Sequence, residues 1–289
     1  MLSASGLRFV TYNVHRFVSP KTNVSTLRGI TEALTSLNPR PDVIALNEVS
    51  VQDHPDALPS LAASLNMDYK FFGHVNKQYG NALLSAHPII HTEEVHLRGG
   101  TSFEFPAGTL KLNGEVAVAG DKHRIVRGLL VADLDTGAGG TRVGVTHLDH
   151  VSIEERRTQL AHVVEVLGSG DGDTVLLGDL NALTLADYSA SQWEALEKRA
   201  ASKGWAPPES GDLDVLKQSG FKDAFVEADV KPQSPWFTAS VREPMYRIDY
   251  AFVRSRSMTA KMGHVVNDAT ESDHFPVVVD LERSNESKL

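Results

Sequence analysis

Thr174-Val175-Leu176-Leu177-Gly178-Asp179-Leu180-Asn181-Ala182-Leu183 is the stretch on which the fold turns. Residues 174–177 are apolar or β-branched without a break, the pattern of a strand buried on both faces. The run stops at Gly178 and then presents Asp179 and Asn181. Two positions apart, their side chains share one side of an extended chain. An anionic acceptor and an amide at the mouth of a buried strand cost desolvation unless something polar or cationic is held there. An Asx turn closing the strand explains the same letters, since Asp and Asn are ordinary turn residues. Other segments decide between the two.

The chain has 289 residues, enough for one large α/β domain or two small ones. No low-complexity linker, charge block or short repeat divides it, so a single domain over residues 1–289 is expected. At 41% hydrophobic and 22% charged, the composition is that of a soluble globular protein with a large core. No apolar run reaches membrane-spanning length and no basic-then-apolar leader opens the chain. The expectation is therefore no integral membrane segment and, by default, the cytoplasm. Without cysteine there are no disulfides and no thiolate metal sites. A net charge of −9 argues against a broadly basic nucleic-acid-binding face, though a local patch is compatible with it. Twelve histidines and a surplus of carboxylates suit hard cations better than soft ones.

Upstream of the central stretch, residues 8–14 read as a strand ending in Asn13. Asn23 or Ser25 can cap a helix carrying Leu27, Ile30, Leu34 and Leu37, which Asn38-Pro39-Arg40-Pro41 stops. Residues 42–46 form a second buried strand that delivers Asn47 and Glu48. A carboxylate directly after a core strand is a candidate ligand for a hard cation. A helix from His54-Pro55 through Leu58, Leu61 and Leu65 follows, then strands over 69–75 and 88–97 joined by the small-residue approach 79–85. His87, His91 and His96 lack metal-ligand spacing and read as structural or exposed. Residues 115–119 and 123–134 flank Gly120-Asp121 as a β-hairpin would, with Arg127 in the second arm to reach a phosphate or cap a sheet edge.

Residues 141–147 are the next strand, ending His147-Leu148-Asp149-His150. Ser152 and Glu155 have capping-box spacing, and Glu154, Glu155, Arg156 and Arg157 read as the solvated side of the helix that follows. Beyond the central stretch, helices are expected over 187–201 and 213–218. The span 186–245 is the least regular. Its Trp205, Trp236 and Phe237 mark either a recognition surface or an insertion packed by its own aromatics. Residues 246–253 alternate as a strand with Arg247 and Asp249 on one face, and Ser272-Asp273-His274 precede a closing strand over 277–281.

Strand-like pairs mixed with helical crossovers imply two sheets packed face to face with helices outside. The polar residues at strand ends, Asn13, Glu48, His147, Asp179, Asn181, Asp249, Asp273 and His274, would then meet at one rim. Singly none is informative; jointly they are hard to obtain by accident.

In this arrangement the chain resembles the endonuclease/exonuclease/phosphatase superfamily, the deoxyribonuclease I-like metal-dependent phosphoesterases. The matching segments are TYNVH (11–15), DVIALNEV (42–49), GNALLS (80–85), THL (146–148), GDLNA (178–182), RIDY (247–250) and SDHFPV (272–277), in the family's order. The resemblance implies an α/β fold, a four-layer α/β/β/α sandwich of two packed mixed β-sheets flanked by helices. It also implies a Mg²⁺- or Mn²⁺-dependent phosphoester hydrolase. Asn13 and Glu48 match metal-binding positions, with Asp273 a further ligand. Asp179 and Asn181 match the pair that positions water and phosphate, and Asp249 and His274 the acid–histidine couple. His147 matches a histidine of the deoxyribonuclease and sphingomyelinase branches. Asn47 departs from the family, which most often has Gln there, and Asp149 and His150 extend the THL motif without an implied role.

The expected chemistry is in-line attack by an activated water on a phosphodiester, with His274 and Asp179 both candidates for the base. A nuclease-type substrate is slightly favoured, so nucleic acid is a candidate partner; no protein partner is implied. The alternatives are a phosphatase or lipid phosphodiesterase acting on inositol phosphate or sphingomyelin-like head groups, and an inactive scaffold of the same fold.

Overall fold

The structure is a computed structural model that describes residues 6–109, 115–137, 139–168, 172–229 and 236–284. Its first half contains β1 (Gly6–Asn13), α1 (Leu27–Thr35), β2 (Val43–Ser50), α2 (Ala57–Leu65), β3 (Asp68–Val75), β4 (Tyr79–Ser85) and β5 (Ile89–His96). Then come β6 (Ser102–Glu104), β7 (Lys122–Arg124), β8 (Gly128–Leu134), β9 (Thr141–His147), α3 (Ile153–Leu167) and β10 (Thr174–Asp179). The remainder is α4 (Ala190–Lys203), α5 (Asp214–Gln218), β11 (Lys222–Asp223), α6 (Ala224–Glu227), β12 (Asp249–Arg254), β13 (Met258–Val265) and β14 (Val277–Arg283).

Two mixed six-stranded sheets result, ordered β13-β14-β1-β2-β4-β3 and β11-β12-β10-β9-β8-β5. Alternation along each strand explains the unbroken apolar runs. Phe9, Val43, Ala45 and Leu83 of the first sheet and Leu130, Val143, Val145, Val175 and Leu177 of the second fill the space between them. The intervening residues face outward onto helices: Val10, Ile44 and Leu46 against Ile30, Leu34, Leu58 and Leu61. On the other side, Leu129, Val131 and Leu176 meet Leu160, Val163, Leu167 and Leu216. The order is helix, sheet, sheet, helix, as the resemblance implies. No helix among the described residues is long and apolar enough to cross a membrane.

Two amides stitch the sheets together. Asn47 Oδ1 accepts from Asp179 N at 2.9 Å, while Asn47 Nδ2 donates to Thr146 O at 3.0 Å and to Asn81 Oδ1 at 2.9 Å. Asn81 Nδ2 donates in turn to Gly128 O at 2.9 Å. Both amides belong to the first sheet, and Asp179, Thr146 and Gly128 to the second. Each is fully buried, so the bonds form where no water competes.

Several local expectations are corrected. The hairpin over 115–134 does not form: β7 pairs with β6, and β8 pairs with β5 and β9. The turn at Gly120-Asp121 exists, with Asp121 N on Val118 O at 3.1 Å, but its arms do not pair with each other: Ala117 bonds Gly108 and Thr109, and β8 lies between β5 and β9. Strand β13 is unanticipated because two of its four buried positions are the small Ala260 and Gly263, which weakens the apolar alternation. Trp236 and Phe237 are buried, the latter stacked on Tyr188 at 5.5 Å, so they pack the protein rather than face a ligand. Within the expected recognition span, residues 230–235 lie outside the described residues. Arg156 is buried and its Nε donates to Asp212 Oδ2 at 2.7 Å, so it is not part of a solvated charge run. Arg247 is also buried, between Asp187 Oδ2 at 2.9 Å and Asp223 Oδ1 at 2.8 Å, with its guanidinium over the rings of Tyr250, Trp236 and Phe225.

Asn47→Ala strips Asp179 N–H and Thr146 C=O of buried partners, so it should cost roughly 2–4 kcal/mol of stability; an unchanged urea midpoint would contradict the stitch. A second prediction concerns His74, whose ring nitrogens are both buried without hydrogen-bond partners among the described residues. Burial, and then the Arg127 cation, hold its pKa down at about 3. The folded protein keeps His74 neutral while the unfolded chain takes up a proton near pH ~6.5. Its stability contribution is complete above that pH and is lost as pH falls toward the folded value, by at most about 1.4 kcal/mol per pH unit. Unfolding of His74→Leu, followed between about pH 4 and 6, should be less steep in pH than that of the parent.

Candidate active site

Register assembles the site. In the first sheet β1 and β2 run parallel with Asn13 beside Asn47. In the second, Asp179 lies between His147 of β9 and Asp249 of β12. Gly178 makes this crossing possible. Its φ is 147°, and a Cβ there would stand 1.8 Å from Thr146 O, so any side chain would displace β10 from β9. On β2 the pairing to β4 shifts between Leu46 and Val49, and Glu48 adopts a φ of 57° within that irregularity. The bulge brings the Glu48 side chain toward Asn13 and His147.

Asp179 is the hub. Its Oδ2 accepts from Asn13 Nδ2 at 3.1 Å and lies 3.5 Å from His147 Nε2 and 3.7 Å from His274 Nε2. Its Oδ1 accepts from Asn181 N at 3.0 Å. Asn13 Nδ2 also donates to Glu48 Oε1 at 3.0 Å, and Glu48 Oε1 is 3.9 Å from His147 Nδ1. His274 Nδ1 bonds Asp249 Oδ2 at 2.8 Å. Seven of the expected site residues are thus in direct contact within one cluster. Asp273 joins through Ser272, whose hydroxyl donates to Asn13 O at 2.7 Å and lies 3.3 Å from Asp273 Oδ1.

Asn181 reaches the cluster by a different route from the one expected. With φ at 49° it is left-handed, not extended, and its N–H closes an Asx turn on Asp179. The turn and the site are one feature. Its Nδ2 donates to Leu148 O at 3.2 Å, leaving one amide hydrogen and the carbonyl oxygen for a ligand.

Protonation follows from what each group faces. Burial, and then Asp249, push Asp179 up to about 7, with His274 opposing. Burial alone would lower His274, but Asp249 and Asp179 outweigh it and hold its pKa well above the ordinary histidine value. His147 goes the other way: burial, then Arg127 and His274, keep it well below that value.

Arg127 is the residue whose place the sequence did not reveal. It is buried between β7 and β8, and neither caps a sheet edge nor lies in a hairpin arm. Its Nη1 donates to His147 Nδ1 and its Nη2 to His150 Nδ1, each at 3.2 Å. A guanidinium cannot accept, so both Nδ1 atoms are acceptors and both imidazoles carry their proton on Nε2. Asp149 accepts from Thr101 N at 2.7 Å, Val151 N at 2.8 Å and Ser152 N at 3.1 Å, and so shapes the loop holding His150. The signal in the sequence was the DH extension of the THL motif.

Asp179, Asp249 and His274 offer ligand atoms all within 4.8 Å of one another. Oδ1 of Asp249 is buried with no hydrogen-bond partner among the described residues. Among the described residues, the Glu48, Asp179 and Asp249 carboxylates gather here with Asp273 nearby, and His274 is the cation paired with Asp179 and Asp249. The cluster is acidic, oxygen-rich and incompletely satisfied, which fits a hard divalent cation.

The architecture recurs in solved structures. An endonuclease/exonuclease/phosphatase protein from Beutenbergia cavernae is 24% identical, with a TM-score of 0.61 over 97% of this chain and 72% of that one. A mannosyl-6-phosphatase from Bacteroides thetaiotaomicron is 18% identical, with a TM-score of 0.64 over 95% and 99%. TDP2 from Caenorhabditis elegans is 16% identical, with a TM-score of 0.60 over 97% and 75%. At these identities the likeness is one of fold. No curated protein matches the sequence. The sequence profile that does match runs from residue 10 to residue 274 and takes in every residue of the cluster around Asp179, so the chain belongs to the Endonuclease/Exonuclease/phosphatase family.

Proposed function

We propose that this protein is a divalent-metal-dependent phosphodiesterase that hydrolyses its substrate by in-line attack of water. The observation that carries the reading is the buried Asp179 carboxylate, 3.7 Å from His274 Nε2 and 3.5 Å from His147 Nε2, with Glu48 and Asn13 beside it. A phosphodiester is an anion, and it needs donors on its oxygens and an acceptor for the proton of the attacking water. Mg²⁺ or Mn²⁺ on Glu48 and Asn13, with Asp273 direct or through water, would neutralise charge on the phosphoryl oxygens.

The remaining roles fall to this chain's own side chains. Asp179, anionic but raised toward neutrality, is the acceptor for the water proton. His274, held cationic by Asp249 and Asp179, donates from Nε2 to a phosphoryl oxygen. That favours Asp179 over His274 as the base. His147 is a neutral donor whose Nε2–H is fixed by Arg127 on the opposite ring nitrogen. Asn181 supplies its remaining amide hydrogen.

The overall charge of the chain favours a small or lipid diester over a nucleic acid. The chain carries −9 overall, and a duplex gains affinity by spreading contacts over many phosphates. Binding to a DNA duplex should therefore be weak and its salt dependence shallow.

The test is a panel of bis-p-nitrophenyl phosphate, DNA, RNA, inositol phosphates and sphingomyelin with Mg²⁺ or Mn²⁺. Asp179→Asn should lower the turnover rate by roughly 10²–10⁴, and His274→Ala by about 10²–10³. Glu48→Gln should shift the metal concentration giving half-maximal activity upward. Parent rates in folded Asp179→Asn and His274→Ala together would overturn the assignment. Arg127→Met should lower kcat with little change in KM, because it frees the His147 tautomer without touching the metal-binding side chains.

A further inference from the structure

Two clefts adjoin the cluster around Asp179, and they differ in chemistry. One, of about 860 Å³, is bordered by Ser272 and Asp273 and carries Lys21 and Arg242 among polar neighbours. The other, of about 620 Å³, is walled by Asn181, Leu183, Leu196, Trp205, Pro207 and Ile248. Helix α4 contributes to both: Arg199 to the first, Leu196 and Ala200 to the second.

The second groove is continuous with the catalytic cluster, because Asn181, whose N–H is bound to Asp179, is also one of its walls. Trp205 is 57% exposed, a large flat apolar face that no element among the described residues covers. Pro207 and Pro208 follow it in a rigid segment, which keeps the wall open without an ordering cost. Of the groove's charged side chains, Arg156 is already bound to Asp212 Oδ2 at 2.7 Å and to Asp149 O at 3.1 Å. Glu209 adds negative charge to the lining. A second phosphate or another anion would find no free cation among the described lining residues.

We propose that this groove seats an uncharged apolar or aromatic ester arm of the substrate, lying against Trp205. A diester held by Asp179, Asn181 and His274 has two arms to place. The polar cleft with Lys21 and Arg242 accommodates a hydrophilic arm, and the Trp205 groove withdraws the apolar one from water. The substrate is then an asymmetric phosphodiester, one arm polar and one apolar. This assignment rests on the phosphodiesterase reading and narrows its substrate class.

The experiment compares p-nitrophenyl diesters that share their leaving group and differ only in the second ester: methyl, glyceryl, octyl and 2-naphthylmethyl. All are assayed with the full chain and Mg²⁺ or Mn²⁺, below micelle-forming concentrations. The octyl and naphthylmethyl esters should exceed the methyl ester in kcat/KM by about tenfold or more, mainly through KM. In Trp205→Ala that ratio should collapse toward one. A saturable change in tryptophan fluorescence on adding octyl phosphate, lost in Trp205→Ala, reads the same contact without turnover. Hydrolysis of every ester with no apolar preference, or a preference that survives Trp205→Ala, overturns the groove assignment and leaves the phosphodiesterase reading standing. Failure of all four esters overturns both.

Discussion

The hydrogen bond from Asp179 N to Asn47 Oδ1 is the constraint on which the rest of this molecule depends. Sheets packed face to face through aliphatic side chains have no directional preference of their own, since dispersion and burial are tolerant of sliding. Asn47 and Asn81 remove that freedom: bonded to each other by their side chains, they hold Asp179 N, Thr146 O and Gly128 O across the seam. A shift of either sheet would leave several buried polar groups unpaired, each worth about 1–3 kcal/mol. The cluster around Asp179 inherits its geometry from this lock. Asn13 sits beside Asn47 on one sheet and Asp179 between His147 and Asp249 on the other, so fixing Asn47 to Asp179 fixes all of them.

The site is assembled at a cost that the surrounding core supports. Gly178, Glu48 and Asn181 all have φ in the positive range, and they stand at the strand end, the bulge and the turn that deliver functional atoms. Non-glycine residues held there cost on the order of 1–3 kcal/mol each where the environment does not favour them. Buried carboxylates add a desolvation penalty, offset for Asp179 by Asn13, by the N–H of Asn181 and by the facing His274. Unbroken strands of Val, Leu, Ile and Phe on both sides of the seam hold this costly rim in place.

How much of this the sequence discloses depends on the range of the interaction. The buried strands are legible because residues 175–177, with β-branched Thr174 before them, run apolar without a break when both faces are covered. The rim is legible because polar letters directly after such runs have few other uses. Pairing partners are not: the residues of β7 and β8 read as one hairpin arm, yet each belongs to a partner many residues away. Nor does a sequence show which arginine is interior. Arg156 sits in an acidic and basic helical run, but its partner Asp212 is 56 residues on, and Arg247 is enclosed by aromatics from three segments. Two-residue spacing explains only half of Asn181's position, since a left-handed turn rather than an extended chain turns it to the cluster.

The two histidines of this cluster are pushed in opposite directions from the ordinary histidine pKa because their Nδ1 atoms face opposite partners. Asp249 bonds His274 Nδ1 at 2.8 Å and stabilises the imidazolium; Arg127 bonds His147 Nδ1 at 3.2 Å and penalises it. Each partner also fixes the ring's orientation, so both Nε2 atoms turn toward the same Asp179 oxygen. Were both histidines paired with carboxylates, the site would hold two cations and a more strongly ionised Asp179, a poorer acceptor for a proton from water. Were both paired with arginines, no imidazolium would face Asp179. The mixed arrangement keeps one charged donor, one neutral donor and one raised carboxylate within a few ångströms, which is the division of labour that moving a proton while holding an anion requires.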